Sequence, residues 1–285
     1  MLQLLNRLWF LFRLWSLDVV IGALATGYFF TKIMEITMPS WWWVILSGSV
    51  WVMYTVDHLL DGIKIKNMAS VAIFRHFYHA ENKKILAFAV LLVSTFILII
   101  VVIAAPAQLL KEGFFLVGLI TLYFLVIHFT GRTKFFLFQK ELTVAVIYVT
   151  GILLGPFTLM NGNLELWQNV LIIAFILLAW AEGIMASWYD YENDLHDGHN
   201  SFATLFGLAR TKLFLIFLHS SIFLLLLINL FWLKTSKHWL PTVILGAMNG
   251  LVLFILLKPE LFRKNERFRI LGEMIFWVPF VLLLF

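Results

Sequence analysis

Apolar runs long enough to cross a lipid bilayer recur along the whole of this 285-residue sequence. Hydrophobic residues make up 62% of the chain and charged residues 13%, and the mean hydropathy is +0.95. A water-soluble domain of this size could not solvate so much apolar surface. The sequence therefore predicts an all-α, polytopic membrane protein.

Counting these runs predicts nine transmembrane helices. The last run could instead form a shorter helix that ends at the membrane surface. The chain is predicted to be a single integral-membrane domain, 1–285, in which 1–16 form an interfacial amphipathic helix rather than a cleaved signal. The spans are predicted near 17–37, 40–56, 85–105, 113–130, 142–160, 168–188, 211–233, 238–257 and 268–285, with cytoplasmic loops at 57–84 and 189–210.

The basic residues support this count and give it an orientation. With the N-terminus in the cytoplasm, all but four of the 21 Lys and Arg residues fall on cytoplasmic segments, as the positive-inside rule requires. The C-terminus is then on the opposite side. This pattern favours a bacterial inner membrane, and an organelle is also compatible with it. The net charge of +5 needs no nucleic-acid partner, because a basic cytoplasmic surface also attracts diphosphates and anionic lipid.

Two acidic clusters stand at matching places in this apolar chain. Asp57 and Asp61 follow the second run, and Asp190 and Asp194 follow the sixth. A spacing of four residues puts both carboxylates of a pair on one face of a helix. Unpaired carboxylates near hydrocarbon are costly, and carboxylates that face one another suit a hard divalent cation such as Mg²⁺, which usually brings phosphate.

In these motifs the chain resembles the UbiA superfamily of intramembrane prenyltransferases. Members of that family have nine helices and two aspartate-rich motifs, after helices two and six. Their second motif is Asp-x-x-x-Asp followed by a Gly, a Lys-Thr-like pair and Leu-Gly. Here the corresponding residues are Asp190, Asp194, Gly198, Asn200-Ser201 and Phe206-Gly207. The stretch from Lys140-Glu141 through Gly151 and Gly155-Pro156 is also similar to the family.

The first family motif, Asn-Asp-x-x-Asp-x-x-x-Asp, is matched only in part. Asp61 matches outright, whereas Asp57 replaces the Asn. His58 stands in place of the first Asp, and Ile65 in place of the last. The resemblance implies a UbiA-type bundle of nine transmembrane helices with its polar site at the cytoplasmic face.

The resemblance also implies the chemistry. A prenyl group would move from a polyprenyl diphosphate to a lipophilic acceptor, with Mg²⁺ assisting the loss of pyrophosphate. Asp57 and Asp61 would hold one Mg²⁺, and Asp190 and Asp194 another, as the catalytic and metal-binding residues. Five cytoplasmic basic residues are candidates for binding the diphosphate: Lys64, Arg75, Lys134, Lys140 and Arg210.

Further polar residues near the motifs are secondary candidates. Glu182 lies two turns before Asp190, within a predicted span, and could orient an acceptor, act as a base or bond to a neighbouring helix. Asp197 could belong to the site or to a solvated turn at Gly198. Five histidines near the motifs could bind diphosphate, cover the site as a polar lid, or bind a transition metal together with carboxylates. They are His58, His76, His79, His196 and His199.

Three classes of function are compatible with the sequence. The first is prenyl transfer or related isoprenoid chemistry, acting on a polyprenyl diphosphate and a lipophilic acceptor in membrane lipid. The second is a non-catalytic UbiA-like protein that binds isoprenoid lipid or serves as a subunit of a larger membrane complex, which the incomplete first motif favours. The third is a transporter or another metal-dependent enzyme. Transporters usually place ionisable residues near the midplane, whereas here they gather at one face.

Overall fold

The computed structural model of this protein describes residues 9–64, 81–130, 139–232 and 239–284; the side chains at 61–64, 126–130 and 197 are outside the description. Across these ranges the chain is helical and no β-strand occurs, which confirms the all-α prediction. The helices are α1 (Leu17–Ile33), α2 (Ser40–Lys64), α3 (Lys83–Ala104), α4 (Ala107–Thr130), α5 (Lys140–Leu159), α6 (Leu166–Tyr189), α7 (Tyr191–Asp197), α8 (Phe202–Phe206), α9 (Leu208–Trp232), α10 (Trp239–Leu257), α11 (Pro259–Phe262) and α12 (Arg267–Ile275).

In the described part of the chain, seven helices are long and apolar enough to cross a membrane: α2 to α6, α9 and α10. The predicted count of nine is not confirmed. Helix α1 has only 17 residues. The region of the predicted last span, 268–285, contains the nine-residue helix α12 and then a 3₁₀ segment, Val278–Leu284. Pro279 has no backbone N–H to continue an α-helix, so the shorter helix that the sequence also allowed is the one that forms.

Two compact units divide the chain, and the first comprises 1–24 and 38–110. Here α2 packs along α3. The close approach depends on Gly48, because a Cβ at this position would lie 2.8 Å from Ile97 Cδ1. Helix α2 runs on to Lys64, so Asp57 and Asp61 lie on its last turns, and their four-residue spacing is helical as expected.

The second unit, 25–37 and 111–285, is built around α6. This helix packs against α5, α9, α10 and α12, which explains why more than half of its residues are buried. An aromatic cluster fixes the centre of the unit. Phe175 lies 5.2 Å from Phe30 and 5.8 Å from Phe276, measured between ring centroids. The side-chain amide of Gln168 donates to the carbonyl of Ile33 at 2.8 Å, which ties the start of α6 to the end of α1.

Buried polar side chains join α9 to α10. His219 Nδ1 lies 2.7 Å from Asn249 Oδ1, and the amide of Asn249 donates to the carbonyl of His219 at 3.0 Å. Ten residues further along α9, Asn229 donates to Thr242 Oγ1 at 3.1 Å. Because hydrocarbon offers no alternative partners, such bonds fix the register between two transmembrane helices.

Substitution of Gly48 by Leu should separate α2 from α3. The added side chain would collide with Ile97, and overpacking of this kind costs about 1–3 kcal/mol of stability. The measurement is the unfolding midpoint in detergent. Gly118→Leu is the matched control, because a Cβ at Gly118 meets nothing within 4 Å. Equal midpoints for the two variants would show that the contact does not limit packing.

Candidate active site

The second acidic motif lies at the junction of α6 and α7. Asp190 ends α6 and precedes α7, with φ −86° and ψ 4°. Helical hydrogen bonds nevertheless cross the junction, since the Asp190 N–H donates to the Ala186 carbonyl at 3.0 Å and the Asp194 N–H to the Asp190 carbonyl at 2.9 Å. The two aspartates therefore lie one turn apart, as their spacing predicted. Gly198, at φ 69°, then ends α7 in the left-handed conformation that favours glycine.

Asp190 forms an ion pair with Arg269 of α12, whose Nη2 donates to Asp190 Oδ2 at 2.5 Å. Both side chains are largely buried: that of Arg269 is 18% exposed and that of Asp190 is 21% exposed. Burial raises the pKa of Asp190 above the usual aspartate value, and the positive charge of Arg269 opposes that rise. Arg269 therefore supplies the counter-ion for a carboxylate that has lost part of its hydration.

The residues just before Asp190 and Arg269 explain why the pair forms. Tyr189 and Phe268 stack with their rings 4.2 Å apart and only 5° from parallel. The Tyr189 hydroxyl also donates to the carbonyl of Ile255 at 2.6 Å, and the preceding Trp188 donates to the carbonyl of Leu208 at 3.0 Å. The end of α6 is thus fixed to three neighbouring segments. Because Asp190 follows Tyr189 and Arg269 follows Phe268, the stacked rings bring the two charged residues into contact.

Asp194 lies among polar groups from other elements. Burial raises its pKa, a hydrogen bond from Ser201 opposes the rise, and the negative charge of Asp190 adds to it. Glu141, on the first turn of α5, is close enough to Asp194 to interact electrostatically, and its Oε1 accepts the Phe202 N–H at 2.8 Å. These contacts hold the segment after α7 against the start of α5.

Glu182 occupies the same region two turns earlier on α6. It interacts electrostatically with Arg269 and with Tyr148 of α5. Gly272 of α12 lies directly against it, because a Cβ on Gly272 would be only 2.7 Å from Glu182 Oε1. Gly183 of α6 faces Glu141 of α5 at ordinary packing distance, because a Cβ added there would lie 3.6 Å from Glu141 Cβ. The small residue that makes room for a carboxylate is therefore Gly272.

The other predicted site residues have different positions. Lys140 starts α5, is exposed and interacts electrostatically with Asp194. Arg210 and His196 are exposed, and His58 is buried on α2. His199 is exposed and interacts electrostatically with Asp194.

Asp57 lies in the first unit. Other predicted site residues lie wholly or in their side chains outside the described part of the structure: the side chains of Asp61, Lys64 and Asp197, and the whole residues Arg75, His76, His79 and Lys134.

Three residues of this region were not predicted as site residues: Arg269, Glu141 and Tyr148. Arg269 is 79 residues from Asp190 in the sequence, and Glu141 is 61 residues from Phe202. One local signal was present, because Arg269 and Glu273 stand four residues apart at the start of an otherwise apolar run. A charged pair at that place indicates a helix end that faces polar groups.

The second motif offers ligands of the kind that Mg²⁺ prefers. Asp190 and Asp194 offer the hard carboxylate oxygens that this ion prefers, and Mg²⁺ usually takes only one or two carboxylates together with phosphate and water. The second motif therefore fits the ion. Within the described ranges no three His, Asp or Glu side chains lie close enough together to hold one metal ion, so the histidine-based transition-metal site has no support there.

Comparison with known families gives one match. The sequence model of the UbiA prenyltransferase family matches residues 79–278, which is more than half of the chain. This stretch includes Asp190, Asp194 and Arg269, and it begins after Asp57 and Asp61. No curated protein and no solved structure matches the chain.

Replacement of Glu141 by Ala should lower stability by about 1–3 kcal/mol, because it leaves a part-buried Phe202 N–H without its acceptor. Glu141→Gln keeps an oxygen at the same reach and should lose less than half as much. Denaturant unfolding in detergent measures both variants. Equal losses would mean that Glu141 acts through its charge and not as an acceptor.

Proposed function

This chain belongs to the UbiA prenyltransferase family of membrane proteins, and we propose that it transfers a prenyl group from a polyprenyl diphosphate to a lipophilic acceptor. The observation that supports this most directly is the pair Asp190 and Asp194. They lie one turn apart at the end of a long apolar helix, within the matched stretch, and Arg269 contributes a cation from another helix. Carboxylates and a guanidinium at one helix end suit a metal diphosphate.

The reaction begins with cleavage of the bond between the allylic carbon and the diphosphate oxygen. The electron pair leaves with pyrophosphate, and an allylic cation remains. When bound, Mg²⁺ supplies positive charge that stabilises the pyrophosphate as it leaves. Asp190 and Asp194 would hold one ion, and Asp57 and Asp61 would hold another. Lys140 and Arg210, with Lys64, Arg75 and Lys134, are the proposed contacts to phosphate oxygens.

The acceptor then attacks the allylic cation. Two electrons of an electron-rich acceptor carbon form the new carbon–carbon bond, and that carbon afterwards loses a proton. Glu182 is the proposed base or acceptor-orienting group, because it lies two turns from Asp190, deeper in the bundle and beside Tyr148. The proton passes to its carboxylate and later to water. Membrane lipid surrounds the helices and would carry both apolar substrates.

Release of pyrophosphate from geranylgeranyl diphosphate should require Mg²⁺ and should fall about 100-fold or more in Asp194→Ala. Purified protein in nanodiscs, with a lipid extract as acceptor, is the assay. Glu192→Ala is the matched control, because Glu192 is exposed on the same short helix. Asp61→Ala tests the first motif in the same way.

The outcomes of this assay separate the remaining functions. No release by folded wild-type protein would favour a non-catalytic isoprenoid-binding protein or a subunit of a complex. Release that persists in Asp194→Ala would remove the second motif from the site.

Glu182→Gln should lower kcat for formation of the prenylated product by about 100-fold or more, since the amide cannot accept the proton. The KM for prenyl diphosphate should change little. Glu182→Asp keeps the carboxylate and should restore part of the rate, which a purely structural role would not predict. Product mass spectrometry and initial rates give both quantities. A raised KM with an unchanged kcat would instead place Glu182 in substrate binding.

A further inference from the structure

Arg269 is a single cation that interacts with several carboxylates. It bonds to Asp190 directly and to Glu266, one turn earlier on the chain, with Nη1 3.5 Å from Glu266 Oε2. Glu273 and Glu182 also interact with it electrostatically. These acids come from α6, from α12 and from the residue preceding α12. Arg269 therefore lies at the centre of an acidic region that the proposed reaction uses.

The bond to Asp190 creates a conflict with the proposed function. Asp190 Oδ2 accepts a hydrogen bond from the guanidinium at 2.5 Å, so a Mg²⁺ ion on the same carboxylate would lie close to a second positive charge. A Mg²⁺ ion and Arg269 therefore compete for the same carboxylate. A diphosphate resolves the competition, because phosphate oxygens form strong, planar, paired hydrogen bonds with guanidinium groups.

The geometry of α12 allows this exchange without movement of the helix. Gly272 lies directly against the Glu182 side chain, so α12 already packs on α6 at this point. The stack of Tyr189 on Phe268 holds the residue before Arg269 in place. The long arginine side chain is 18% exposed and can turn from Asp190 to a neighbouring anion by rotation of its own bonds.

We propose that Arg269 is a positioning residue that neutralises Asp190 before the substrate binds and moves to the diphosphate when it does. This inference rests on the proposed function. It implies that Mg²⁺ alone binds weakly, and that diphosphate and Mg²⁺ strengthen each other's binding by the same factor. Arg269 thus lowers the affinity of the site for metal in the absence of substrate.

The test measures the affinities of two probes, Mg²⁺ alone and inorganic pyrophosphate with Mg²⁺, by calorimetry on full-length protein in detergent. In Arg269→Gln, Mg²⁺ alone should bind about three- to fivefold more tightly, because Asp190 is released from a partly exposed ion pair. Pyrophosphate should bind about tenfold more weakly, because a charge-assisted hydrogen bond is lost. A salt bridge with a purely structural role would not move the two affinities in opposite directions.

Two further variants make the result decisive. Arg267→Gln removes an equal charge from the exposed face of the same helix and should leave both affinities at the wild-type values. Arg269→Lys keeps the charge but not the paired donors, so it should retain weak Mg²⁺ binding and lose part of the pyrophosphate affinity. Because this variant preserves the counter-ion of Asp190, it covers the case in which Arg269→Gln fails to fold.

Failure of the proposed function and failure of the role of Arg269 give different results. Wild-type protein that binds neither probe would overturn the proposed function and this inference together. Wild-type protein that binds Mg²⁺ and pyrophosphate, with Arg269→Gln unchanged or weaker for both probes, would overturn only the role of Arg269.

Discussion

A carboxylate at the end of a membrane helix needs a counter-charge, and the ion pair of Asp190 with Arg269 meets that need in this protein. The pair depends on apolar contact rather than on charge alone. Tyr189 stacks on Phe268, and each ring is the neighbour in sequence of one charged residue. Stacking of this kind adds about 0.5–1.5 kcal/mol beyond simple burial, so an aromatic contact fixes where the two charges meet.

Helix α6 organises the rest of the site because it packs against α5, α8, α9, α10 and α12. Its last two turns carry Glu182 and Asp190, eight residues apart and so roughly on one face. Carboxylates fit inside the bundle only where neighbouring helices lack side-chain bulk. Gly272 provides that space for Glu182, because a Cβ at this position would lie only 2.7 Å from Glu182 Oε1. This glycine therefore helps to define the site.

The sequence predicted what depends on local pattern. The all-α class, the family and the one-turn spacing of Asp190 and Asp194 follow from hydropathy and motif, and all three are confirmed. The ninth span is not confirmed, because hydropathy alone gives no weight to Pro279, which lies within the apolar run and disfavours a continuous α-helix. In the sequence, Arg269 counts only as one of the basic residues assigned to the cytoplasmic side. Its pairing with Asp190 depends on how α12 packs on α6, and spacing along one helix carries no information about that.

Charge balance links this architecture to the chemistry. Asp190, Asp194, Glu141 and Glu182 are gathered near the end of α6, where Arg269 and Lys140 supply the nearby positive charge. A diphosphate with about three negative charges would be repelled by such a region in the absence of further cations, and divalent ions reverse the sign of that interaction. Conversely, Mg²⁺ without diphosphate would share Asp190 with the positive charge of Arg269, which lowers its affinity. The arrangement therefore favours binding of the metal and the diphosphate together over binding of either one alone.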